Sequence, residues 1–400
     1  MPGETGFASS ALSPLSVSVR SVSIAPRFPS SLTRVRRLRL ALVSHSYPPQ
    51  SGGVEVVVQR LAEGLSQAGH GVTVYTQTRR GTHKPPRIRM EESGTTVLTF
   101  QDVTGTRSFP VAPGMYSGLA RSASLYDIVH AHNYHSCALL AAAAATLPGS
   151  ARLVVSPHFH GDGHSPIARS LHVFYRPVVR RVLLRADAIV CVSAAEADHL
   201  RSVFPRLGAK IAVIPNGIDM EAIERAEPYA LRRPTVLGVG RLERHKGFAQ
   251  LIGAMAYLPS VDLMIIGDGP QRSSLLAEIA DRCLQDRVTL ISRVTTEELH
   301  RWQRSAAVFV TLSRHEAFGL APREALAGGV PVIASDIPAH REMSSSAPGA
   351  VELISADAPP YQVARAIDDV IRANRRGAPP SLPTWTDAVK DLQSLYSSLL

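Results

Sequence analysis

Cysteine is scarce in this 400-residue chain, and Cys137, Cys191 and Cys283 stand far apart with no metal-ligand spacing. That argues against a disulfide framework and suits a reducing compartment. Long apolar runs are missing too: the longest, CALLAAAAATL at 137–147, falls short of the ~18–20 residues of a membrane span. The GxGxxG spacing of a dinucleotide fold does not occur, and no HExxH order accompanies the histidines. These gaps lower a dehydrogenase reading and a zinc site.

Charge is uneven. The net value is +10, but basic residues outnumber acidic ones 6 to 1 over residues 1–40 and 17 to 10 over 41–213, whereas 214–400 holds 20 against 22. A basic first half can meet nucleic acid, an anionic membrane surface or a phosphorylated acceptor, or simply carry scattered surface arginines. No nucleic-acid motif accompanies it, so nucleic acid is not an expected partner. The segment SLHVFYRPVVRRVLLR (170–185) fits either a membrane-facing helix or an ordinary amphipathic helix on a sheet.

What is present is a globular composition, 45% hydrophobic and 19% charged, on a chain too long for one comfortable core. Residues 1–37, rich in Ser, Pro and Arg with Glu4 as their one acid, read as a disordered basic extension. From Leu38 onward short β-branched runs alternate with helical patterns: LRLALVS, GVTVYTQ, TTVLTF, DIVHAHN, RLVVSPH, AIVCVS and IAVIPNG, then PTVLGVG, DLMIIGDG, RVTLIS, VFVTLS and PVIAS. Strands apolar throughout imply sheets covered on both faces. The expected fold is therefore α/β, two doubly wound Rossmann-like domains facing a central cleft. The boundaries expected are 38–213 and 214–382, with a charged, proline-containing linker near 214–233 and a C-terminal helix at 383–400. Ligands of such sheets bind beyond the carboxyl ends of the strands, so chemistry is sought in those turns.

The turn HEAFGLAPREALAGGVPVIAS (315–335) places Glu316 and Glu324 eight residues apart. On one continuous helix that spacing is about 80° out of register, so the two belong to different local structures. Pro322 suits a first helical turn and Gly328–Gly329 its end, which predicts Glu324 in the first turn and Glu316 on the loop before it. The amides of Phe318, Gly319, Leu320 and Ala321 would then be free to meet a phosphate. Carboxylates repel a pyrophosphate but accept from hydroxyls, and a ligand with hydroxyls on both sides of a pyrophosphate is a nucleotide sugar. The bland alternative is a helix-terminal carboxylate beside an exposed loop glutamate.

Other strand-end turns add candidates. VGRLERHKG carries Arg241 and Lys246, two cations able to neutralise a diphosphate. IIGDGP offers Gly267 and Gly269 for close backbone approach. In the first half, Gly52 and Gly53 precede a helix with Val54, Val57, Val58, Leu61 and Leu65 on one face. SPHFHGDGH presents His158, His160 and His164, and DIVHAHNYHS presents His130, His132 and His135; these are read as lining a cleft or bonding strand ends, without a metal.

Taken together, from about Leu38 to the C-terminus, GRLERHKG, IIGDGP, HEAFGLAPREALAGGVPVIAS and, in the first half, SGGVEVVVQRLAEGLSQAGHGVTVYT resemble the retaining glycosyltransferases of family 4 with the GT-B fold. The resemblance implies a hexosyltransferase that uses a UDP- or GDP-sugar and a lipid-linked, glycan or small-molecule acceptor. Glu316 would hold hydroxyls of the donor sugar and Glu324 those of the ribose. Arg241 and Lys246 would bind the diphosphate with the amides of Gly319 and Leu320. Gly53 would lie beside the phosphates, and His158, rather than His160, would contact the sugar. The resemblance also implies no cofactor and no metal, in keeping with the absence of a DxD motif. A cytoplasmic protein, with peripheral attachment to the inner face of the membrane as an option, is the expected setting. Ala317 stands where the family commonly has glycine, and Ser292 and Arg293 replace a glycine-containing turn near the nucleobase. A GT-B epimerase and a non-catalytic sugar-nucleotide binder stay open as alternatives, and a phosphorylase would need a cofactor lysine context that is not found.

Overall fold

In the computed structural model, the residues described are 36–49, 52–78, 87–105, 110–147, 149, 151–159 and 166–400, with backbone alone for 166–174. The expected extension lies, but for Arg36 and Arg37, outside them, as do Asp162, His160 and His164.

Two sheets account for the strand pattern. The first holds β1 (Arg39–Val43), β2 (Gly71–Thr78), β3 (Arg87–Met90), β4 (Thr96–Gln101), β5 (Ile128–His132), β6 (Arg152–Ser156), β7 (Ala188–Cys191) and β8 (Ile211–Val213). Their order is β3-β4-β2-β1-β5-β6-β7-β8, and only β3 runs antiparallel, against β4. The second holds β9 (Thr235–Val239), β10 (Asp262–Ile266), β11 (Val288–Ile291), β12 (Val308–Thr311), β13 (Val332–Ser335) and β14 (Val351–Ile354). It is parallel throughout in the order β11-β10-β9-β12-β13-β14.

Alternation of side chains along the strands fills a core on each face, as parallel sheets require. In β1, Ala41 and Val43 belong to one core while Leu40 and Leu42 belong to the opposite one. In β10, Leu263 and Ile265 face one way and Met264 and Ile266 the other.

The chain passes between the domains twice, side by side. Ile218 donates its N–H to Pro383 O at 2.8 Å, just before a capping box in which Thr384 and Asp387 start the final helix, Trp385–Ser398. That helix buries Ala388, Val389, Leu392 and Tyr396 in the first sheet's core beside Leu40 and Leu42. Between the first crossing and β9, the linker region carries only a short helix, Met220–Arg225.

The basic segment 170–185 belongs to the helix Pro166–Arg185. Val179, Val182 and Leu183 are buried in the first core, so that apolar stripe is already covered, and Arg176, Arg180 and Arg181 face outward. The ordinary amphipathic helix is the reading the packing supports.

Candidate active site

The turn after β12 is built around Gly319, whose φ of 78° is a left-handed conformation that glycine enters without steric cost. Gly319 caps the helix Leu320–Ala327, so Glu324 is its fifth residue and stands in the second turn, not the first. Pro322 explains the difference: it is tolerated anywhere among the first residues, whose N–H groups have no partner within the helix, and therefore does not mark the start. Arg323 is buried beneath this turn, donates to the carbonyls of Phe318 and Gly319, and lies 3.9 Å over the Phe318 ring. Burial lowers its guanidinium to about 10, opposed by the charges of Glu342 and Glu316, so it stays a cation at neutral pH.

Glu316 projects from the loop before that helix and accepts a hydrogen bond from Lys246 Nζ at 2.5 Å. Burial alone would push its carboxyl up. The charge and hydrogen bond of Lys246, then His340 and Ser313, outweigh this and hold it at about 2. Lys246 ends a single 3-10 turn, Arg244–Lys246, that follows β9. Arg241, on the same loop, is exposed and pairs with Glu243 at 2.8 Å. Both expected diphosphate cations thus stand at the carboxyl edge of the second sheet, each held by a carboxylate. Glu324 is separate from this pair: Gln303 Nε2 donates to it at 2.6 Å, and burial raises its carboxyl despite that bond and the Arg60 charge.

Gly267 and Gly269 serve close approach, but to their own chain. A Cβ at Gly267 would lie 1.9 Å from Gly240 O, and one at Gly269 would lie 2.6 Å from Leu242 O. They let the β9 and β10 turns stack, which sets the loop bearing Arg241 and Lys246.

Across the cleft, His158 follows β6 with φ 47° and is buried. Its Nε2 lies 3.2 Å from Nδ1 of His132, whose ring is 4.2 Å from that of His130. His130 in turn meets Tyr396 of the final helix at 2.7 Å and Ser156 at 2.8 Å. Burial, reinforced by the neighbouring imidazoles, holds His130 at about 3 and His158 at about 4 and lowers His132 in the same direction, so all three are neutral near pH 7. Gly53 is the first residue of the helix Gly53–Gln67 and a Cβ there would meet nothing within 4 Å, whereas one at Gly52 would strike the Glu55 carboxylate. His45, 3.8 Å from Glu55, has its pKa lowered by burial first; Glu55 opposes this and Arg241 of the facing domain adds to it.

The chain has relatives in sequence and in fold. The model of glycosyltransferase family 4 matches residues 51–222, and that of the glycosyl transferases group 1 matches 219–376. A GDP-mannose:cellobiosyl-diphosphopolyprenol alpha-mannosyltransferase of Xanthomonas oryzae is 30% identical over 318 residues, 77% of this chain and 81% of that one. The chain belongs to glycosyltransferase family 4. A D-inositol 3-phosphate glycosyltransferase of Xylanimonas cellulosilytica is 28% identical over 72% of this family 4 chain and 76% of its own. Among solved structures, the sucrose-phosphate synthase of Thermosynechococcus elongatus superposes with a TM-score of 0.71 at 22% identity, over 91% of this chain and 95% of that one. The Anabaena HepE protein in complex with UDP and glucose gives 0.67 at 18%, over 91% and 97%. These structures show the fold, GT-B, and the family makes this protein a sugar-nucleotide-dependent transferase.

Several residues that shape the site of this glycosyltransferase are not singled out by its sequence. Arg323, His340, Ser313 and Gln303 surround the two glutamates, and His45, Ser193 and Glu196 complete the facing wall. Of these, only Ser193 and Glu196 carry a signal: SAAE before an apolar-periodic stretch has the spacing of a capping box.

Proposed function

We propose that this glycosyltransferase is a retaining hexosyltransferase that moves a hexose from a UDP- or GDP-sugar to a lipid-linked, glycan or small-molecule acceptor. The observation that carries the proposal is the 2.5 Å pair of Lys246 and Glu316 beside Arg241 and the Gly319–Leu320 helix start. A diphosphate would draw Lys246 toward itself and free Glu316 to accept from sugar hydroxyls. Paired with Lys246, Glu316 is an ionised carboxylate, and facing the sugar hydroxyls it acts as a hydrogen-bond acceptor. The acceptor hydroxyl then attacks from the face the diphosphate leaves, and the departing phosphate takes its proton. Lys246, Arg241 and the Gly319 and Leu320 amides stabilise the leaving charge, with no metal required. Glu324 would take the ribose hydroxyls, His158 would contact the sugar, and Gly53 would face the phosphates.

The Xanthomonas relative named for GDP-mannose and a diphosphopolyprenol supports a lipid-linked acceptor, and the HepE complex named for UDP and glucose keeps uridine in view. A lipid-linked acceptor would bring the basic first domain against an anionic membrane from the cytoplasmic side. No helix among the described residues is long and apolar enough to cross a membrane.

The test is incubation with UDP-glucose and with GDP-mannose against a panel of polyprenyl-diphosphate, glycan and inositol acceptors, reading product anomers by proton NMR. An α product from an α donor supports the proposal. A β product contradicts retention, and conversion of the donor with no acceptor present indicates an epimerase.

A further inference from the structure

The turn between β7 and the helix Ala194–Val203 bonds a strand end of the first domain to the Glu316 loop of the second. Ser193 Oγ donates to Ala317 O at 2.6 Å, the carbonyl next to Glu316, and accepts from Glu196 N–H at 2.9 Å. The Glu196 carboxyl group accepts from Phe159 N–H at 2.5 Å and Val192 N–H at 2.7 Å. Phe159 follows His158, so this bond pins the backbone on which the left-handed His158 is mounted. From the second domain, Glu342 on the helix Pro338–Ser346 accepts from Ala194 N–H at 3.1 Å and Ala195 N–H at 2.8 Å. A carboxylate at a helix N-terminus satisfies otherwise unpaired amides and the helix dipole. Here that carboxylate comes from the opposite domain, so the bonds hold only while the two domains keep this relative placement.

We propose that Ser193, Glu196 and Glu342 are positioning residues: a bracket that fixes the Glu316 loop against His158 when the cleft is closed. The chain of bonds runs from Ala317 through Ser193 and Glu196 to Phe159, and Glu342 fastens it from the second domain. The effect on turnover rests on the donor-site reading given above; the geometric claim does not. Because the bracket touches neither Lys246 nor Glu324, loosening it leaves nucleotide affinity in place and slows the step that needs both walls.

The test uses full-length protein with Cys137→Ser and Arg121→Cys, spin-labelled at position 121 of the first domain and at the exposed Cys283 of the second. Pulsed dipolar distances are compared for this parent and for Ser193→Ala, Ser193→Thr, Glu196→Gln and Glu342→Gln. Binding of UDP and GDP is measured by calorimetry, and kcat and KM by donor consumption. The expected result is a longer, broader distance distribution in Ser193→Ala and Glu342→Gln, and restoration by Ser193→Thr, which keeps the hydroxyl. In Ser193→Ala, Glu196→Gln and Glu342→Gln, kcat falls roughly tenfold or more while nucleotide Kd stays within about twofold. Unchanged distances in both Ser193→Ala and Glu342→Gln overturn the bracket, whatever binds. Failure of the parent to bind UDP or GDP instead counts against the donor-site reading, while the distances still decide the bracket.

Discussion

Glu316 and Lys246 are 70 residues apart in sequence and 2.5 Å apart in space, one following β12 and the other β9, neighbours in the second sheet. The pair makes the ionisation of Glu316 conditional on Lys246. Replacing Lys246 by Ala removes the largest influence holding the Glu316 carboxyl down and leaves burial to raise it.

Lys246→Ala and Glu316→Ala are each expected to reduce donor turnover by about 10²–10³ while the fold persists, as for loss of one charge-stabilising group. Glu316→Gln should retain more activity, since the amide oxygen still accepts from a hydroxyl. Full activity in either Ala variant, with unchanged circular dichroism, would refute the site assignment.

Gly267→Ala should destabilise the second domain, because the added Cβ would lie 1.9 Å from Gly240 O, a backbone atom that cannot swing away. The cost is on the order of 1–3 kcal/mol, read as a lower Tm. A variant with the parent's Tm would show that the β9 and β10 turns are looser than described.

The pH dependence of stability follows from two opposed sets of groups. His130 and His158, held at about 3 and about 4 against 6.5 in the unfolded chain, contribute stability that is present above pH 6.5 and lost as pH falls through that window; His132 acts in the same direction. Glu196, which burial raises to about 8 from 4.5 against two backbone bonds, contributes stability that is present below 4.5 and lost as pH rises through 8. With His45, His70, His300 and His340 lowered in the same direction, the histidines outweigh Glu196 and the likewise raised Glu324 and Asp391 on the acid side, so thermal stability should peak near pH 6.5 and fall both ways, more steeply toward pH 4. A Tm that is flat from pH 8 to 5 would contradict this.

Tyr396→Phe removes the hydroxyl that meets buried His130 Nδ1 at 2.7 Å and should cost about 1–3 kcal/mol, the penalty of leaving one buried polar group unpaired. Urea unfolding followed by first-domain fluorescence reads it, and an unchanged midpoint would mean that water replaces the hydroxyl.

The strands most plainly legible are those buried on both faces, such as LALV of β1 and LMII of β10, because burial on both sides forces continuous apolar runs. Two of the four edge strands escaped: RIRM of β3 is exposed along its length and VELI of β14 is only partly buried, whereas the edge strands β8 and β11 were read from IAV and VTLI. The candidate site was legible where a residue stands in the turn beyond its own strand, as Glu316 and Lys246 do. It was not where a residue acts through tertiary contact: nothing local distinguishes Glu342 or Arg323 from a surface charge on a helix. Glu324 stands one turn later than Pro322 suggests, since proline is allowed at several positions near a helix start.

The most direct measurement is thermal unfolding of the parent and of Lys246→Ala with UDP, GDP and ADP. A ligand at 100 times its Kd stabilises the native state by about 2.7 kcal/mol, a resolvable rise in Tm. The account predicts a rise with UDP or GDP in the parent and its loss in Lys246→Ala. No rise with any nucleotide, or an equal rise in the variant, would contradict it.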